Sequence, residues 1–90
     1  MIRRRIEIIN KLGLHARAAS KLVGLTGRYS ARIALGRPGQ KGVDAKSIMA
    51  MLMLAANRGT QLDMECEGPD EEQLADAVCA LVANRFDEDE

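Results

Sequence analysis

The chain has no tryptophan, one tyrosine (Tyr29) and one phenylalanine (Phe86), so aromatic packing cannot dominate its interior. Aliphatic residues, alanine and methionine must fill the core. There are two cysteines, Cys66 and Cys79, at a separation that matches no metal or redox motif. Each falls within an apolar pattern and reads as a buried free thiol, as expected in a reducing cytoplasm. There is a single histidine with no cysteine near it, so no metal site is expected. No nucleotide-binding loop is found either, and no cofactor is expected. Net charge is also lacking: 13 basic residues balance 13 acidic ones, which gives no footprint for nucleic acid. The longest apolar run, Ile48 to Ala56, is too short to cross a bilayer. No apolar segment follows the basic run Arg3-Arg4-Arg5, so no signal peptide is expected. Together these absences predict a soluble cytoplasmic protein with neither membrane nor nucleic acid as a partner.

What is present fits one folded unit. Ninety residues, 47% of them apolar, make a single domain over 1–90 with one modest core. The acidic run Asp87 to Glu90 and the basic run near the other end read as solvated termini.

The hydropathy pattern changes period along the chain. Residues 2 to 9 alternate, with Ile2, Ile6 and Ile8 on one face and Arg3, Arg5 and Glu7 on the other; Arg4 interrupts the apolar row. Asn10, Lys11 and Gly13 mark a loop. From Ala16 the spacing turns helical, with Ala19, Leu22, Val23 and Thr26 on one face and Gly27 as the stop. Ser30 to Leu35 and Gln40 to Ala45 read as a hairpin around Gly36-Arg37-Pro38-Gly39. Ser47 is placed to cap a second, short helix running to about Ala56. Thr60 to Glu67 alternates again, with Leu62, Met64 and Cys66 facing inward. Gly68 and Pro69 turn the chain, and a last helix begins at Asp70 with Leu74, Ala77, Val78 and Leu81 as its apolar stripe.

The order is therefore β-α-β-β-α-β-α. One-sided strands and one-sided helices bury their apolar faces together only if the helices cover one side of a single sheet. The predicted class is α+β: a four-stranded antiparallel sheet with three helices on one face and water on the other, an open-faced sandwich.

Chemistry concentrates at His15, where a loop gives way to a helix. Imidazole changes protonation near neutral pH and offers a nucleophilic nitrogen. The first N–H groups of a helix lack internal partners and carry partial positive charge. The N–H groups of Ala16 and Arg17 can therefore receive an anion carried on the ring. The guanidinium of Arg17 adds a planar fork suited to phosphoryl oxygens. No second candidate base is evident near His15, which argues against a stand-alone turnover enzyme.

The segment Asn10-Lys11-Leu12-Gly13-Leu14-His15-Ala16-Arg17-Ala18-Ala19 resembles the active-site signature of the HPr phosphocarrier family. Lys46-Ser47-Ile48-Met49 resembles that family's regulatory-serine segment. The closing Phe86-Asp87-Glu88-Asp89-Glu90 is similar to the tail of NPr, the HPr paralogue of the nitrogen-related phosphotransferase branch. The resemblance implies a stoichiometric carrier. Phosphoenolpyruvate charges enzyme I, or its nitrogen-branch paralogue, which phosphorylates the ring nitrogen of His15 nearer the backbone (Nδ1) with help from Arg17. The group then passes to an enzyme IIA domain. An alternative is a regulatory binding module that senses phosphorylation state without onward transfer. Many members carry proline where this chain has Ala18, which leaves a freer N–H in the first helical turn.

Ser47 has two readings, an N-cap and, by the resemblance, a phosphorylation site for an HPr kinase/phosphorylase. The second helix carries more apolar surface than one inward face can hide. Ile48, Met49, Leu52 and Met53 are expected outside as a docking patch, and Met51, Leu54 and Ala55 inside. Ala16, Ser20 and Lys21 of the first helix complete the expected docking surface, with its basic side chains suited to acidic partners. The carrier is expected to be a monomer.

Overall fold

A computed structural model describes residues 1–90. Alternation in the sequence becomes β1 (Ile2–Glu7), β2 (Arg32–Gly36), β3 (Val43–Asp44) and β4 (Gln61–Glu67). The helically spaced segments become α1 (Ala16–Thr26), α2 (Ile48–Met53) and α3 (Glu71–Ala83). One short turn, Arg85–Asp87, follows α3. All strand pairs are antiparallel, in the spatial order β1-β4-β2-β3.

Period-two alternation sorts the two sheet faces. Leu62, Met64 and Cys66 of β4 are buried beneath the helices, flanked by Ile6 of β1 and by Ile33 and Leu35 of β2. The outer face carries opposite charges directly across the strands. Arg3 meets Glu65 and Arg5 meets Asp63, each at 2.8 Å, and Arg32 meets Glu67. Such exposed cross-strand pairs add a few tenths of a kcal/mol each (~0.2–1) and disfavour a slipped register. Arg4, the interruption in the apolar row, runs toward α3 and donates to Asp76 at 2.8 Å, so its stem covers the core edge while its charge is paired.

Several elements differ from their predicted form. β3 has two residues, not six, because only Val43 and Asp44 pair with β2. α2 ends at Met53. Ala55 then takes a positive φ of 50° and is exposed, contrary to its predicted burial, and Leu54 is half-buried. Arg37 of the β2–β3 loop donates to the carbonyls of Leu54 and Ala55 at 3.0 and 3.1 Å, satisfying the end of this short helix. The buried face of α3 is Leu74, Ala75, Val78 and Val82; Ala77 and Leu81 lie at its margin. In α1, Ala18 is buried with Ala19, Leu22 and Thr26, while Val23 is half-buried.

The largest correction concerns the acidic tail. Arg85, Phe86 and Asp87 have φ of 57°, 53° and 64°, a left-handed turn built without glycine. Each such residue costs of order 1–2 kcal/mol. The turn drops Phe86, fully buried, into the core, and burying a large apolar side chain returns ~1.5–3 kcal/mol. Lys21 of α1 donates to the Phe86 carbonyl at 3.1 Å and lies 3.4 Å from an Asp87 carboxylate oxygen. The tail is thus folded back over the start of α1 and is not a solvated terminus.

Candidate functional site

Gly13 sets the entry to α1. Its φ is +68°, and a Cβ there would stand 2.5 Å from the Ala56 carbonyl oxygen and 2.9 Å from the Asn57 Cα. Only glycine lets the loop lie this close to the segment after α2. The Leu14 N–H then donates to that same Ala56 carbonyl at 2.8 Å, and Leu14 is buried. The chain is pinned at Gly13 and Leu14, which fixes where His15, the residue after Leu14, stands.

His15 is the N-cap of α1, with extended backbone (φ −78°, ψ −178°). Its carbonyl accepts the first helical bond, from the Ala19 N–H at 2.8 Å. No side chain caps this end of the helix. The N–H groups of the first turn are therefore without a side-chain partner at the point where the His15 ring stands, half-buried. Ala16 and Arg17 are exposed beside it.

The ring is held from the tail. Its Nε2 contacts Glu88 Oε2, and the other carboxylate oxygen, Oε1, accepts from Asn10 Nδ2 at 3.0 Å. Asn10 is fully buried, and its Nδ2 also donates to the Gly13 carbonyl at 2.8 Å. Both partners of that nitrogen are acceptors, which assigns the amide orientation. Burial opposes ionisation of Glu88. Hydrogen bonds from Asn10 and His15, with the charges of His15 and Arg17, outweigh it and hold the carboxyl below its ordinary value. A shallow cleft beside the ring is lined by Lys11, Leu12, Ala16, Arg17, Glu88, Asp89 and Glu90.

Asn10 and Glu88 were not legible as site residues. The sequence placed Asn10 in a loop and Glu88 in solvent, and the absence of a base near His15 is corrected by the carboxylate on Nε2. Their separation of 78 positions leaves no local spacing to read.

The second helix turns Ile48, Met49, Leu52 and Met53 outward as its composition predicts, although Leu54 and Ala55 do not lie inside. Ser47 Oγ accepts from the Ala50 N–H at 3.2 Å, an N-cap bond. Met51 is fully buried; Met49 and Met53 are 64% and 79% exposed, with Ile48 and Leu52 also outside. Leu12, 66% exposed, adds to the apolar surface from the loop before His15. α1 and α2 pack together, so His15, Ser47 and these side chains belong to one helical layer. Ser20 and Lys21 are exposed on α1, although the Lys21 ammonium is engaged with the tail. No group of histidine, cysteine, aspartate or glutamate is arranged to hold a metal ion. No helix is long and apolar enough to cross a membrane.

An open-faced sandwich with an accessible imidazole at a helix N-terminus defines a class of small histidine phosphocarriers. The family described as "PTS HPr component phosphorylation site" matches residues 2–84. The phosphocarrier protein HPr of Pseudomonas aeruginosa is 54% identical over 85 residues, covering 94% of each chain. The phosphocarrier protein NPr of Escherichia coli K12 is 41% identical over 88 residues, covering 98% of each. Among solved structures, HPr-C-His from Thermoanaerobacter tengcongensis superposes with a TM-score of 0.94 at 37% identity, with full coverage of both chains. The chain belongs to the HPr family of phosphotransferase-system phosphocarriers, with NPr as a close relative.

Proposed function

We propose that this chain accepts a phosphoryl group from phosphoenolpyruvate-charged enzyme I, or its nitrogen-branch paralogue, on Nδ1 of His15, and delivers it to an enzyme IIA domain. The observation that carries the reading is the placement of His15: a half-buried ring at the uncapped N-terminus of α1, with its Nε2 already occupied. The Nδ1 lone pair attacks phosphorus, and the bond from phosphorus to the donor atom breaks with its electron pair going to the donor. The N–H groups of Ala16 and Arg17, the α1 dipole and the Arg17 guanidinium receive the phosphoryl oxygens. The dipole contributes only ~0.3–1 kcal/mol at an exposed end, which suits a group that must be passed on.

The partners dock on Ala16, Ser20 and Lys21 of α1 and on Ile48, Met49, Leu52 and Met53 of α2. The exposed methionines adapt to successive partners. Phosphorylation of Ser47 by an HPr kinase/phosphorylase adds nearly two negative charges beside this surface and weakens docking of an acidic partner. The carrier works as a cytoplasmic monomer.

The test is incubation with phosphoenolpyruvate and enzyme I, followed by mass spectrometry under neutral conditions. An acid-labile gain of one phosphoryl group that His15→Ala abolishes is expected. A label that survives in His15→Ala overturns the site.

A further inference from the structure

We propose that Glu88 is a positioning residue for phosphoryl transfer: its carboxylate keeps the proton of the His15 imidazole on Nε2 and so presents Nδ1 as the nucleophile. The inference rests on the proposed phosphorylation of His15.

An imidazole has two nitrogens, and only the one without hydrogen can attack phosphorus. The tautomer is set by whatever the other nitrogen bonds. Here Nε2 faces a carboxylate oxygen, which can only accept, so the hydrogen must reside on Nε2. The carboxylate is itself oriented. Asn10 Nδ2 holds Oε1 at 3.0 Å while anchored to the Gly13 carbonyl at 2.8 Å, two residues before the histidine. The same buried amide thus fixes the acceptor and the loop that delivers the ring. On the tail side, Phe86 in the core and Lys21 on its carbonyl hold Glu88 at this position.

The charge balance gives Glu88 a task in each direction. When the Nδ1 lone pair bonds phosphorus and the donor bond breaks, the neutral ring becomes a phosphoimidazolium, with its original hydrogen still on Nε2. Its positive charge forms beside the Glu88 carboxylate, which gains in attraction as the reaction proceeds. When the acceptor's nucleophile attacks phosphorus, the N–P electron pair returns to Nδ1 and the ring is again neutral, its proton still shared with Glu88. No proton leaves the site in either step. A carboxylate that orients a histidine through its far nitrogen is worth on the order of tenfold to a hundredfold in related settings.

Two measurements on the whole protein test the role: ¹⁵N NMR of the His15 ring at a pH where it is neutral, and the rate of His15 phosphorylation by phosphoenolpyruvate-charged enzyme I. The wild type is expected to show the Nε2–H tautomer. Glu88→Gln, which keeps the size and loses the charge, is expected to shift the ring toward a mixture of tautomers and to slow phosphorylation by about tenfold or more. Glu88→Asp is expected to recover part of both, which loss of tail packing alone does not predict. An unchanged tautomer or an unchanged rate in Glu88→Gln, with the wild type labelled normally, overturns the role and leaves the carrier reading intact. A wild-type chain that takes no label at all overturns the carrier reading, and the role with it.

Discussion

Asn10 Nδ2 stands 3.0 Å from Glu88 Oε1, a bond between a loop near one end of the chain and a tail at the other. Through it the first turn before α1 and the last residues after α3 form one structure around His15. The contact is buried on the asparagine side, and Asn10 Oδ1 has no partner. Leaving such an oxygen unpaired costs ~1–3 kcal/mol, and the two bonds made by Nδ2 act against that cost.

Replacement of Asn10 by aspartate tests that balance. A buried carboxylate would face both the Glu88 carboxylate and the Gly13 carbonyl, with no donor between them. Asn10→Asp is expected to lower stability by about 3 kcal/mol at neutral pH and to release the tail from His15. Urea denaturation measures the first and the amide shifts of residues 86–90 the second. A loss below about 0.5 kcal/mol with an undisturbed tail contradicts the account.

Gly13→Ala tests the placement of the helix start. The new Cβ would collide with backbone at Ala56 and Asn57, and φ +68° is unfavourable for alanine in any case. A stability loss of at least ~1–2 kcal/mol is expected from the backbone conformation alone. Because the clash moves the segment carrying His15, phosphorylation by charged enzyme I should slow more than a stability loss alone explains. Assays well below the melting temperature separate the two effects.

Ser47→Ala removes the bond from the Ala50 N–H and is expected to cost about 1 kcal/mol. Ser47→Asp can still cap, so its stability should stay closer to wild type, while its charge weakens binding to an acidic partner. Denaturation and titration with enzyme I, run side by side, check both. Stronger binding by Ser47→Asp would sink the electrostatic reading of this residue.

Stability should fall in acid through Asp70. Its carboxylate accepts from the Ser30 N–H at 2.9 Å and the Ala31 N–H at 2.7 Å, tying the start of α3 to the segment before β2. The Ser30 bond is the main cause that brings its carboxyl below the ordinary 3.8, helped by Ala31 and Lys46 against the effect of burial. The folded value lies below the unfolded one. The contribution is therefore fully present above the unfolded value and disappears as pH falls through the depressed folded value. Urea midpoints followed downward from neutral pH should drop more steeply in the wild type than in Asp70→Asn. Identical acid limbs would show that Asp70 is not responsible.

Much of this was legible in the residues. The helical spacing from Ala16 and the Gly13 turn located α1 and placed His15 at its mouth. Ser47 was readable as a cap because N-capping is a local exchange between a side chain and an N–H three residues on. The surplus of apolar residues on α2 predicted Met49 and Met53 outside, since a helix has one inward face. The failures share a cause. Ala55 follows the helical pattern but stands where the chain reverses into the left-handed region, where Arg37 from a distant loop donates to the last carbonyls. The acidic tail reads as solvent-facing because charge favours water when no partner is known.

The amino-acid sequence by itself determined the element order, the inward faces of β1, β2 and β4, and the histidine that begins α1. These follow from periodicity and turn chemistry over a few neighbouring residues. Only the tertiary structure decided the strand order β1-β4-β2-β3, the left-handed turn that buries Phe86, and the carboxylate that meets Nε2 of His15. Each of these joins residues far apart in the chain, where no local pattern records the partner and the packed core selects it.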